Sequence, residues 1–67
     1  MKNTIGTKLM ELRKSKGKSR ADVAKAVGIS PSSVAMHELD LRIPSDKVKI
    51  KYSKFYGKSV ASIFFAQ

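Results

Sequence analysis

Apolar side chains recur along this chain at helical spacing, in short runs separated by glycine, proline and hydroxyl residues. Ile5, Leu9 and Leu12 fall at i, i+4 and i+7, one stripe of a helix of about three turns. Thr4 stands at the N-cap, and Lys14, Lys16 and Gly17 close the end with the charge that the helix dipole favours. Ser19 opens a second, very short helix with Val23, Ala24 and Val27 as its stripe. Asp22, three residues after that cap, makes a weak capping box, and Gly28 supplies the stop. The next start is Ser30 followed by Pro31, which stands at the first helical position, where its missing N–H costs nothing. This third helix is predicted to run to about Glu38. After an irregular stretch from Leu39 to Pro44, Ser45 caps a fourth helix in which Val48, Tyr52, Phe55 and Tyr56 share a face until Gly57. Lys47, Lys49, Lys51 and Lys54 take its other faces. Ser59 begins a last short helix that turns Val60, Ile63 and Phe64 one way and leaves Phe65 pointing elsewhere. No Asn-Gly or Asp-Gly hairpin signal appears, so the pattern predicts an all-α fold of five short helices.

Between Arg20 and Leu39 two short capped helices are joined by Gly28-Ile29-Ser30, the grammar of a helix-turn-helix. Small Ala24 permits a close crossing, Gly28 admits a positive φ, and Val23, Val27, Ile29 and Val34 fill the wedge. Through Ser19-Arg20-Ala21-Asp22-Val23-Ala24-Lys25-Ala26-Val27-Gly28-Ile29-Ser30, then Glu38, Arg42-Ile43-Pro44-Ser45 and Tyr56-Gly57-Lys58-Ser59-Val60, the chain resembles the phage-repressor helix-turn-helix family of Xre or Cro type. The resemblance covers nearly the whole chain. It implies a lambda-repressor-like domain over residues 1–67, whose second and third helices dock on DNA, the third reading bases in the major groove from its N-terminal half. It further implies that Arg20, where the family usually has Gln, meets a phosphate. Pro31, Ser32 and Met36 would face base edges, Ser30 and Ser33 would border the DNA at the start of the reading helix, and Arg42 would hold a phosphate from the following loop. The family pattern is broken at His37, where it has a bulky apolar residue, at Leu39, where it has a basic or amide residue, and at Asp40, where it has glycine. Asp40 is therefore expected to be a local stability defect, an acid at a left-handed position against the helix dipole.

Composition narrows the function classes. Sixty-seven residues leave room for one domain, with a core worth about 3–5 kcal/mol. The absence of cysteine excludes a disulfide scaffold, a thiolate zinc site and a cysteine nucleophile. His37, the single histidine, has no second histidine for a metal pair, and no nucleophile converges on it and Glu38. His37 is expected to pack, and Glu38 to make a structural hydrogen bond or ion pair to a neighbouring helix. No enzyme activity, metal, cofactor or small-molecule ligand is implied. The longest apolar run, Ile63 to Ala66, is far shorter than the ~20 residues of a membrane span, and the lack of cysteine leads to the expectation of a reducing, cytoplasmic location.

A net charge of +9 calls for a polyanionic partner. Residues 1–20 carry 7 basic and 1 acidic side chains, residues 21–45 carry 2 and 3, and residues 46–67 carry 5 and 1. The helix-turn-helix itself is not basic, so phosphates are expected to be held by helix 1, the turn before helix 2 and helix 4. The resulting expectation is a sequence-specific double-stranded DNA-binding regulator, a repressor of phage or mobile-element type that acts by operator occupancy. It is expected to form a homodimer on DNA, with Phe65 as its one spare apolar feature. The alternative is a protein-interaction module, an antitoxin or anti-repressor that uses the same fold as a docking surface. A cationic membrane-surface binder is disfavoured because the apolar face of helix 4 is core-like.

Overall fold

Five hydroxyl side chains punctuate the fold. In the computed structural model, which describes residues 4–65, Thr4, Ser19, Ser30, Ser45 and Ser59 each accept the backbone N–H three residues on, from Thr7, Asp22, Ser33, Val48 and Ser62. Each satisfies a donor that the first turn of a helix leaves without a partner. The helices that follow are α1 (Ile5–Ser15), α2 (Arg20–Val27), α3 (Pro31–Glu38), α4 (Asp46–Tyr56) and a terminal π-helix (Ala61–Phe65). No strand occurs among the described residues. Ala66 and Gln67 of the apolar tail lie outside them, as do residues 1–3.

The core takes Leu9 from α1, Val23, Ala24 and Val27 from α2, Val34 from α3, Tyr52 and Tyr56 from α4, and Ile63 and Phe64 from the terminal segment. Ile5, Leu12, Ile29, Val48, Phe55 and Val60 pack around it, half-buried. α3 lies against α1 and α2, α4 against the other side of α2, and the terminal segment against α1. The last segment differs from the expected α-helix by winding as a π-helix. Its i→i+5 pattern widens the turn, and the expected inward pair, Ile63 and Phe64, is buried while Phe65 stays 63% exposed.

Where α3 ends, the sequence reading needs correction. The Leu41 N–H bonds to the Met36 carbonyl and the Asp40 N–H to that of His37, the pair of bonds that defines a Schellman motif. Asp40 does occupy the left-handed position, at φ 61°, but it is not an unopposed defect. Its Oδ1 accepts the Gly6 N–H at 2.9 Å, so its carboxylate caps the first turn of α1, where the dipole favours an anion. Gly6 is needed for this approach: a Cβ there would overlap the Glu38 carbonyl oxygen and crowd the Asp40 carboxylate. A second correction concerns spare apolar surface. Beside Phe65, the side chains of Leu39, Leu41, Ile43 and Ile50 are all exposed, Leu41 and Ile43 by more than two thirds.

Candidate nucleic-acid interface

The joint between α2 and α3 is set by Gly28. At φ 83° it lets the N–H groups of both Gly28 and Ile29 reach the Ala24 carbonyl, at 2.8 and 3.0 Å, which ends α2 and allows Ser30 to start α3 two residues later. The inward face of α3 is Val34, His37 and Glu38, all buried. Helical spacing then puts Ser32 and Met36, four residues apart, on the outward face. Ser32 is exposed and Met36 37% exposed on that face. Pro31 is exposed at the first turn but lies three and seven residues before the buried Val34 and Glu38, on their side of the helix. Of the three residues expected at base edges, Ser32 and Met36 therefore share the outward face. Ser30 and Ser33 are placed differently. The Ser30 hydroxyl accepts the Ser33 N–H at 3.1 Å and lies 3.0 Å from the Ser33 hydroxyl. Both hydroxyls are thus engaged in holding the helix start. Arg42 is exposed in the loop beyond α3.

His37 packs, as its solitary position in the sequence suggested. Its Nδ1 lies 2.9 Å from the Tyr52 hydroxyl, and the two rings meet edge to face at 5.7 Å. Burial, with the charge of Arg42 adding to it, holds the imidazole below its ordinary pKa of 6.5. Burial likewise raises the Tyr52 phenol, and pushes that of Tyr56 up to about 12.

Glu38 makes the ion pair expected of it, with two partners rather than one. Arg13 Nε donates to Oε2 at 2.8 Å and Arg20 Nε to Oε1 at 3.0 Å. The Glu38 side chain is 1% exposed, that of Arg13 14% and that of Arg20 38%. Arg13 also donates through Nη1 to the Lys18 carbonyl at 3.1 Å, which fixes the turn before α2. Burying a carboxylate costs several kcal/mol unless it is paired and hydrogen-bonded, and two guanidinium groups meet that requirement. Arg20 is therefore held by the protein as well as placed at the start of α2. Nothing local in the sequence signals this, because the partners lie 25 and 18 residues apart.

Positive charge gathers beside α2 on its α4 side. Two shallow hollows there share Phe55 and Ala26. One is flanked by Lys18, Lys25 and the acid Asp22, the other by Lys51 and Lys54. Lys16 Nζ sits 5.4 Å from the centre of the Phe55 ring, a cation–π distance. At the C-terminal end, Lys49 Nζ lies 5.6 and 5.2 Å from the rings of Phe64 and Phe65. Among the described residues no cluster of three or more His, Cys, Asp or Glu is placed to hold a metal ion, and no helix is long and apolar enough to cross a membrane.

A helix-turn-helix family matches residues 9–63. No curated protein matches in sequence. Among solved structures, the fold is similar to that of the P22 c2 repressor in complex with synthetic operator 9T in the presence of Tl+, with a TM-score of 0.94 and 20% identity over 98% of this chain and 100% of that one.

Proposed function

The chain belongs to the helix-turn-helix family, and from that premise we propose that it is a sequence-specific double-stranded DNA-binding transcriptional regulator, a repressor of phage or mobile-element type. It acts by occupancy: the bound protein covers a promoter and excludes polymerase, with no chemistry and no cofactor. The observation that carries this reading is the division of α3 into a face sealed by Val34, His37 and Glu38 and an open face bearing Ser32 and Met36, with Pro31 exposed at the helix start. A helix whose one side is locked into the core presents its other side rigidly, as major-groove reading requires. The structural neighbour is itself a repressor bound to an operator, which supports the same reading.

In this account Pro31, Ser32 and Met36 face base edges, Arg20 and Arg42 hold phosphates, and Ser30 and Ser33 brace the start of the reading helix against the backbone. Ser32 donates or accepts a single hydrogen bond, and Met36 meets a thymine methyl. The test is selection of bound fragments from the source genome. Recovery of one shared, two-fold symmetric site supports the proposal, and retention of no sequence in preference to bulk DNA overturns it.

A second reading is a protein-docking module of antitoxin or anti-repressor type. It is favoured by the exposed Leu39, Leu41 and Ile43 directly after α3, since contiguous exposed apolar surface marks interaction sites. Failure to bind any duplex even at low salt would select it over DNA binding.

A further inference from the structure

Glu38 is nearly fully buried yet spends its two oxygens on arginines from two different helices. One of the two, Arg13, has a side chain only 14% exposed and is tied down a second time through Nη1. The other, Arg20, is attached through Nε alone, and its side chain is 38% exposed. A bond through Nε fixes the plane of a guanidinium and leaves the donors of both terminal amino groups for another acceptor. Arg20 is the first residue of α2, directly after the cap Ser19, at the end of the helix that a polyanion approaches most favourably.

We propose that Glu38 is the positioning residue for a phosphate contact made by Arg20: it grips the Nε edge and presents the terminal amino groups to a phosphate of duplex DNA. This rests on the DNA-binding reading above. The arrangement does two things that a free surface arginine does not. It fixes the rotamers of a flexible side chain before binding, so that this ordering is not charged to the complex. It also keeps the buried carboxylate paired throughout, because Arg13 holds Oε2 while the phosphate shares Arg20. A lysine at position 20 has all its donors on one freely rotating ammonium, so a bond to Glu38 would not orient a separate, planar pair of donors toward the phosphate.

The sign of one substitution separates this from plain electrostatics. Removing a carboxylate near DNA strengthens binding if charge alone matters. Glu38→Gln is instead expected to weaken binding to a mixed-sequence duplex at low salt by about tenfold, measured by fluorescence anisotropy at a temperature where circular dichroism shows the variant folded. In an Arg20→Gln background the same change is expected to have no further effect on affinity. Arg20→Lys, which keeps every charge and leaves Glu38 with Arg13, is expected to lose about tenfold as well, and it decides the matter if Glu38→Gln does not fold. Unchanged or tighter binding by Glu38→Gln overturns the proposal, as does an equal loss with and without Arg20, or full affinity in Arg20→Lys. A wild-type protein that binds no duplex overturns the DNA-binding reading itself, an outcome distinct from any of these.

Discussion

At the scale of single residues, two side chains carry more than their sequence context shows. Asp40 combines a left-handed backbone, which disfavours most residues, with a carboxylate that caps α1 through the Gly6 N–H. Asp40→Gly relieves the first and loses the second. Since a lost cap costs about 0.5–2 kcal/mol, the melting temperature is expected to stay level or fall, and Asp40→Ala, which loses the cap and keeps the strain, to fall further. A rise for Asp40→Gly in thermal denaturation would show that relief of the left-handed backbone outweighs the Gly6 contact. Gly6→Ala should also destabilise, by about 1–3 kcal/mol through overpacking, even though alanine is the better helix former. His37 gives the fold a pH dependence. Its folded-state pKa lies below the ordinary 6.5, so the unfolded chain takes up the proton first. Stability is full above about 6.5 and falls as pH drops through that value towards the lower folded-state one. Melting temperatures measured from pH 8 down to about 5 should decline on this limb, and His37→Gln should flatten it.

At the scale of elements, the two faces of α3, the proposed reading helix, assign opposite roles to near neighbours. Met36 is 37% exposed while Val34 and His37 are buried. Truncating Met36 should cost little stability, whereas a fully buried methionine would cost about 2–5 kcal/mol. Met36→Ala and Ser32→Ala are each expected to cost ~1–3 kcal/mol on the preferred site and almost nothing on nonspecific DNA. Arg42→Ala should weaken both alike and flatten the dependence of log K on log salt. Measuring stability together with the specific-to-nonspecific ratio decides the case: if Met36→Ala melts much lower while the ratio holds, the methionine serves the core instead.

For the whole molecule, the size of the reading surface bears on how many copies bind. A reading surface of one short helix contacts one half-site, so a homodimer on DNA is proposed, with half-sites about one helical turn apart, ~10 bp centre to centre. Phe65, 63% exposed and lying beside Lys49, is the dimerisation residue first indicated by the sequence, but Leu41 and Ile43 expose still larger fractions of their surface. Sedimentation on a short symmetric duplex should give two protomers per site, and Phe65→Ser should reduce that occupancy. One protomer per site, unaffected by Phe65→Ser, would rule the dimer out.

The residue sequence by itself determined the helices and their joints. Thr4, Ser19, Ser30 and Ser45, with Gly28 and Gly57, act within three or four residues of where they stand, so their effect is written locally and the helix ends follow. The inward placement of Val34 and the outward placement of Met36 were legible for the same reason, since helical periodicity fixes relative direction along one element. What tertiary structure alone decided are the contacts between elements distant in the chain. The Gly6–Asp40 cap spans 34 residues, and the Arg13–Glu38–Arg20 network spans 25 and 18. No propensity or periodicity encodes such pairings. They arise because packing α1 and α2 against α3 brings the start of α1 and a buried carboxylate within reach of groups whose local sequence gives no hint of them.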